Sequence, residues 1–412
     1  MRDSLFPPPQ FSIAKDAATA PAARRVHEIC NTAVWRSLGF VDRLSAVLLA
    51  ATWPVTAVAI SLPWLRRNAK AVAAMTGRSA IRQFREMVAL AVRHRIQPRY
   101  YYMFEFYLDG RLEQAGDYMM RYETKQIAYR MLYPKVLTTG LPIKNKIAFA
   151  GYCRDHGLAA LPLVAAFDQG ARIADLGDGT LPEGDLFVKR VFGKGGVGAE
   201  RWNWIGNGVY RSTQGPELAG PALLEHVAAL SQKKGPYLVQ PAVVNHTDLR
   251  DLSVGALSTV RIMTCRSDRG GHEVTNAALR MSINPKSAVD NFHAGGIAAA
   301  VDLKTGTVGP ASDLGLGPKF VWHDTHPLTG GQITGRVLPH WQEAMELAVR
   351  AHAAFSEWAV IGWDVGILDG GPKLIEGNKG PDVDIMQRTL RGPIGNGRFG
   401  ELLAYNLEQL RR

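Results

Sequence analysis

Residues 360–382 read VIGWDVGILDGGPKLIEGNKGPD, and three of their side chains can act together: Asp364, Glu376 and Asn378. Two short apolar runs flank a DGG turn, which predicts a β-hairpin. On that hairpin Asp364 and Glu376 face one side, and Asn378, two residues beyond Glu376 in an extended strand, joins them. Two carboxylates and an amide oxygen form a hard oxygen site suited to magnesium, an ion that commonly bridges nucleotide phosphates. The competing reading is a solvated hairpin with ordinary acids. Glu376 argues against it, because it follows Leu374 and Ile375 in an apolar strand where an unpaired charge is costly.

A second reactive segment is DLFVKRVFGKGGVGAE, residues 185–200. A short apolar strand carrying Lys189 runs into Gly193, Gly195, Gly196 and Gly198, whose bare backbone can approach phosphate oxygens. The glycines match G-x-G-x-x-G, but a dinucleotide site needs a helix directly behind them, and RWNWIGNGVYRS has no helical period. A phosphate loop of the P-loop kind needs Lys and Ser or Thr where Ala199 and Glu200 stand. Two readings stay open: a hairpin with a glycine-rich turn, or a flap over phosphates that Lys189 reaches from its strand.

These segments need a scaffold, and 412 residues, 46% apolar and 21% charged, are enough for two or three packed domains. Net charge is 48 − 37 = +11, yet residues 1–100 hold 15 basic and 5 acidic side chains, leaving 33 and 32 for the remainder. A nucleic-acid reader spreads its basic groups over the folded face that meets phosphate, so no nucleic-acid partner is expected. Cys30, Cys153 and Cys265 have no CxxC or CxH neighbour, which excludes a zinc cage or disulfide framework drawn from them and fits a reducing compartment.

The basic front end has its own pattern. Residues 44–65 are 22 positions without a formal charge, long enough to span a bilayer; against a span, Pro54 removes a helical hydrogen bond near the middle and Pro63 another near the end. From Arg66 to Arg99 there are nine basic residues and one acid, Glu86, against six and four in residues 1–45, a bias that places the later side in the cytoplasm. Ile81, Phe84, Val88, Ala91 and Val92 recur at helical spacing, with Arg78, Arg82, Arg85 and Arg93 on the other arc. That predicts a basic amphipathic helix lying on a membrane surface or packed into a helical domain. Residues 99–125, dense in Tyr, Phe and Met, read as core or domain interface.

The spacing of Asp364, Glu376 and Asn378 resembles the magnesium-binding strand pair of ATP-grasp enzymes, and the Lys189 strand with its glycines resembles their phosphate-binding lobe. Asn145 and Lys146, followed by IAFAGYCRDHGLAALP, resemble the start of the small lobe. YLVQPAVVNH, residues 237–246, resembles the hinge strand whose backbone holds adenine. LSTVRIMT with Arg261, and AALRMSINPKSAVDNFHAGGIAAAVDLKTG with Arg280 and Asn291, resemble the core of ATP-grasp glutamate ligases. With HPLTG and VLPHW, the set is most similar to the sugar-transfer-associated ATP-grasp family, over roughly residues 100–405.

The resemblance implies an α+β, ATP-grasp fold in which two α+β lobes clasp ATP. Residues 1–98 precede it as a basic, apolar helical region whose charge pattern leaves membrane contact and a self-packed helical domain both open; deleting them is expected to free the protein from membranes and leave nucleotide binding. Residues 99–142 connect, residues 143–240 form the small lobe with its flap, and residues 241–412 form the large lobe with the metal site. It further implies an ATP- and magnesium-dependent ligase that activates a carboxylate as an acyl phosphate for an amine or other nucleophilic acceptor. Its setting would be the cytoplasm, at the inner face of the cytoplasmic membrane, in cell-surface glycan chemistry. Magnesium falls to Asp364, Glu376 and Asn378; phosphates to Lys146, Lys189, Gly195, Gly196 and Gly198; adenine to the strand and loop of Gln240 and Val243. Arg280 answers the transferring charge, and Arg261 and Asn291 orient the acyl group. Two positions depart from the pattern: Pro241 follows Gln240 where an acid is usual, and Gly362 stands two before Asp364 where dipeptide ligases carry Arg. A kinase of a small hydroxyl substrate and a nucleotide-binding scaffold subunit are the alternatives, and the intact Asp-Glu-Asn set speaks against the scaffold.

Overall fold

Two seven-stranded antiparallel sheets carry the body of the chain in the computed structural model, which describes residues 20–134, 143–175, 180–193, 198–213, 215–285 and 292–410. The first sheet is built from β1 (Ala165–Asp168), β2 (Ala171–Asp175), β3 (Leu186–Arg190), β4 (Glu200–Gly206), β5 (Val209–Ser212), β6 (Glu217–Ala219) and β7 (Tyr237–Pro241), in the order β2-β1-β7-β3-β4-β5-β6. Period-two alternation sorts its side chains. Leu186, Val188 and Val239 pack with Leu223 and Val227 of the helix Gly220–Lys234, while Ala166 and Leu238 turn the other way onto Ile147 and Ala150 of the helix Lys146–Asp155.

The second sheet contains β8 (Thr259–Arg266), β9 (His272–Met281), β10 (Ile297–Val301), β11 (Val308–Ser312), β12 (Trp322–His323), β13 (Val360–Leu368) and β14 (Gly371–Asn378), in the order β12-β11-β10-β9-β8-β13-β14. One face is covered by Ala344, Leu347, Ala348 and Ala351 of the helix Trp341–Ala354, over Ile262, Ile361, Trp363 and Val365. The opposite face changes character along its strands. At one end Met263, Cys265 and Val360 lie under Phe399, Leu402 and Leu403 of the C-terminal helix Arg398–Gln409. At the other end, on the same face, the residues are Arg261, Arg280 and Asp364. An apolar half under helices therefore continues into a charged half, and this positions the site. The α+β fold of two sheet-and-helix lobes is the one expected.

Residues 158–164 join the lobes through the backbone. Leu161 N–H donates to Leu374 O (3.1 Å), Leu374 N–H donates to Ala159 O (2.7 Å), and Val164 N–H donates to Val239 O (2.8 Å).

The front end is three helices, α1 (Ala22–Ser37), α2 (Phe40–Thr76) and α3 (Ala80–His94). Val26, Ile29 and Cys30 of α1 share the core with Phe399 and Leu402, so a deletion through residue 98 strips the large lobe of part of its own interior. Helix α2 runs unbroken through Pro54 and Pro63. Each proline removes a helical hydrogen bond, and packing against α3 offsets the loss: Trp53 and Ala57 are buried with Ala91, and the Trp53 indole N–H donates to Ala91 O (2.7 Å). Helix α3 is also turned differently from its apolar stripe. Its buried arc is Gln83, Met87, Leu90 and Ala91, whereas Ile81 and Val92 are exposed. Residues 100–107 and 118–120 do form the interface expected of them: Tyr100, Tyr102, Phe104 and Tyr118 pack with Val72, Met87 and Leu90 on one side and with Leu314 and Phe320 of the large lobe on the other.

Candidate active site

The β13–β14 hairpin forms as its alternation and DGG turn predict. Asp364 stands directly opposite Glu376, and Gly362 opposite Asn378, so the three oxygen-bearing side chains share one face. A β-bulge follows Asp364, where Val365 pairs with Leu374 and Ile375 is the extra residue. The Asn378 amide donates to Glu376 Oε1 (3.3 Å).

Asp364 is also opposite Arg261 on its other side, across β8. Arg261 Nε donates to Asp364 Oδ1, and Arg280 Nη2 lies 3.0 Å from Oδ2. Arg280 is steadied in turn by donating through Nε and Nη2 to Thr259 Oγ1, at 3.2 and 2.5 Å. Burial alone would raise the Asp364 pKa; the Arg261 and Arg280 guanidiniums outweigh it and hold the carboxyl below the usual range. The sequence indicates these residue types but not their pairing, which is set by the β8–β13 register.

Lys146 is the first residue of its helix, and the side chain of Asn145 caps that helix by accepting from the N–H groups of Ile147 and Ala148 (3.1 and 3.2 Å). Lys146 Nζ donates to Val191 O (3.2 Å) and Gly193 O (3.4 Å), at the root of the glycine segment, and lies 3.8 Å from Glu376 Oε2. Lys189 is opposite Leu238, on the sheet face that the Lys146 helix covers. Burial lowers the Lys189 pKa to about 8, with Lys146 adding to the effect and Glu376 and Asp364 opposing it. Lys146, Lys189, Glu376 and Asp364 thus share one electrostatic environment, and Arg261 and Arg280 complete it through Asp364.

Gly198 has φ +77°, and a Cβ there would lie 2.7 Å from the Tyr237 hydroxyl, so the position requires glycine. Gly195, Gly196 and Asn291 lie outside the described residues. Gln240 is buried in β7 and directs Nε2 toward Leu161 O (3.4 Å), with no partner on Oε1 among the described residues; Val243 is half-buried in the loop that follows. Both sit where β7 meets the crossover of residues 158–164.

One cluster beside the site escaped sequence reading. Asp382, just beyond the hairpin, accepts from Lys125 Nζ (2.9 Å), and its Oδ2 is 3.1 Å from both Arg121 Nε and His293 Nε2. Its other oxygen accepts from the Asp384 N–H (3.0 Å) and caps the helix Val383–Thr389. Burial and then the Asp382 charge raise the Asp384 pKa to about 8. Pro381 leads into this cluster and packs on Gly362, where an added Cβ would meet it at 2.7 Å. The only sequence signal was a D-x-D directly after the hairpin.

Among the described residues no three His, Cys, Asp or Glu side chains gather as a metal cluster. The oxygen set is two carboxylates and an amide, a hard donor group of the kind magnesium takes, and the hairpin register brings its members side by side. The residues therefore fit that ion. Both Asp364 oxygens already face guanidiniums, so Glu376 and Asn378 are its more available members.

The family described as sugar-transfer associated ATP-grasp matches residues 129–392. Among solved structures, the chain is similar to D-alanyl-alanine synthetase A from Vibrio cholerae, at 13% identity, TM-score 0.38 and 65% coverage of each chain. It is similar to D-alanine–D-alanine ligase from Bacillus anthracis, at 12% identity and TM-score 0.37, covering 68% of this chain and 70% of that one. It is also similar to L-amino acid ligase from Bacillus licheniformis, at 14% identity and TM-score 0.34, covering 71% and 53%. The chain thus spans just under two thirds of the Vibrio protein and about half of the Bacillus licheniformis one. No curated protein matches its sequence.

Proposed function

We propose, from the premise that this chain belongs to the sugar-transfer associated ATP-grasp family, that it is an ATP-dependent ligase joining a carboxylate to an amine or related nucleophile. The observation that carries the reading is the approach of Lys146 Nζ, at the root of the glycine segment, to Glu376 Oε2 at 3.8 Å, with Lys189 and Asp364 in the same field. Cations from one side and carboxylates from the other thus converge, the charge set that a polyphosphate with a hard cation calls for.

In the first step a carboxylate oxygen of the donor attacks the γ-phosphorus of ATP. The bond to the β,γ-bridging oxygen breaks, and ADP leaves with the electron pair. In the second, the acceptor nitrogen attacks the acyl carbon, the bond to the phosphate oxygen breaks, inorganic phosphate departs, and the nitrogen releases a proton. Lys146 and Lys189 neutralise phosphate oxygens, and Gly198 lets the backbone approach them. Arg280, fixed by Thr259, meets the charge on the transferring phosphoryl group, and Arg261 with Asn291 aligns the acyl oxygens. Asp364 keeps both guanidiniums in place. Magnesium held by Asp364, Glu376 and Asn378 would offset phosphate charge. The stretch of Gln240 and Val243 receives the adenine.

We place the reaction in the cytoplasm at the inner face of the membrane, in the modification of surface glycans or glycoconjugates; the family description and the apolar helix α2 support that setting. The test is an ADP-release screen of carboxylates paired with amines or amino sugars, including lipid-linked acceptors. A new amide or ester formed with ADP and phosphate supports the ligase. ADP with a stable phosphate monoester, and no free phosphate, identifies a kinase and overturns it.

A further inference from the structure

Helix α2 is packed along only part of its length. Residues 40–52 have no buried member: Phe40 is 84% exposed, Val41 72% and Leu48 60%, with Leu44, Val47 and Leu49 also exposed. Beyond residue 52, Trp53, Ala57 and Ser61 are buried, while Val55, Val58 and Leu62 continue the exposed apolar side. A continuous apolar surface of this size on a folded protein is an interaction site.

Charge identifies the occupant. Arg36 and Arg43 flank the start of the apolar stretch, Arg66 and Arg67 follow it, and Arg85 and Arg93 lie on the neighbouring α3, all exposed. Nearby acids are few: Asp42 is exposed, and Glu86 is taken by Arg78, Arg82 and the Tyr101 hydroxyl. Trp35 at the α1–α2 corner lies under the Arg43 guanidinium, 5.4 Å from ring centroid to Cζ, an amphipathic pairing suited to a headgroup layer. An apolar face rimmed by cations suits anionic lipid, whereas a second copy would set one basic rim against another.

Packing also fixes the depth. Trp53 and Ala57 are covered by α3, so carrying residues 53–62 through a bilayer would pull Arg85 and Arg93 into hydrocarbon. Only residues 44–52, beyond Asp42 and Arg43, are free to enter, and at 1.5 Å per residue they reach about 14 Å, short of the roughly 30 Å of hydrocarbon. We propose that the exposed first half of α2 docks into one leaflet of an anionic membrane without crossing it. This deepens the membrane setting given above, and its test reads no ligase turnover, so either can fail alone.

The full chain is floated with sealed vesicles of phosphatidylcholine, with or without phosphatidylglycerol. Flotation with the anionic vesicles is expected, weakened by salt and reduced roughly tenfold or more by Leu44→Asp with Leu48→Asp. These exposed substitutions leave thermal unfolding and nucleotide binding unchanged. Trypsin added outside should still cleave near Arg36 and Arg43. Four results would each overturn the proposal: no flotation, equal flotation of the variant, a protected N-terminal fragment that betrays a span, or lipid-free dimers abolished by the same substitutions.

Discussion

Asp364 and Glu376 are direct cross-strand partners, yet they differ in setting: Asp364 is 6% exposed at its side chain and bound by two guanidiniums, whereas Glu376 is 33% exposed and faces Lys146. One carboxylate organises the sheet face, and the other is available to a ligand.

Substitution should separate the two roles. Glu376→Gln is expected to abolish ATP turnover with the denaturation midpoint nearly unchanged. Asp364→Ala is expected to abolish turnover and also cost about 3–5 kcal/mol, because Arg261 and Arg280 lose their shared buried anion. Urea unfolding of both variants decides; equal stability losses would refute the division.

Lys189 should give nucleotide binding a pH limit. Its pKa is lowered to about 8 by burial first and Lys146 second, so the charge that meets phosphate is lost as pH rises through that value in the free protein. Affinity for ATP is expected to weaken above about pH 8 in the wild type and to stay flat in Lys189→Arg. Folding stability has the opposite sign. Between about 8 and the ordinary lysine value of 10.5 the unfolded chain binds the extra proton, so Lys189 favours folding increasingly with pH, a rise that Lys189→Met should lack. Calorimetric titration and unfolding across this range test both.

Asp382 gathers Lys125, Arg121 and His293 from distant parts of the chain. Asp382→Asn is expected to destabilise by about 3 kcal/mol, more than Lys125→Met alone, since the anion removed serves two cations and a histidine. The Asp382 carboxyl is held far below the usual range, against burial, by His293, Lys125 and Arg121, so its contribution is complete above the ordinary carboxylate pKa and fades only on strong acidification. A smaller loss for Asp382→Asn than for Lys125→Met would show that the cluster does not act as one unit.

Gly400 lies inside the helix Arg398–Gln409, where propensity alone predicts that alanine stabilises by about 1 kcal/mol. An added Cβ would lie 1.7 Å from Gly395 O. Gly400→Ala is therefore expected to lower the melting temperature by many degrees; any increase would show that residues 395–397 yield freely.

The parts of this protein that local rules govern were legible. The hairpin of Asp364, Glu376 and Asn378 follows from alternation and a turn signal. Features fixed by distant contacts were not. Gln83 counts as polar in any helical pattern, yet it is buried because its amide donates to Ala69 O and Arg78 O and accepts from the Tyr102 hydroxyl. The same contacts turn α3 away from its Ile81–Val92 stripe. Pro54 and Pro63 signal lost helical hydrogen bonds, and nothing in α2 itself announces the support of α3. The pairing of Arg261 with Asp364 needed the register of strands a hundred residues apart, and the Asp382 cluster needed the fold.

The crossover at residues 159–161 also shields the large sheet. By bonding to both sides of Leu374 it occupies the outer margin of β14, and at the far margin β12 is only two residues long. Neither rim offers a long row of open amides and carbonyls to a stray strand. At high concentration, many such molecules would have little means of zipping into fibrils through this sheet.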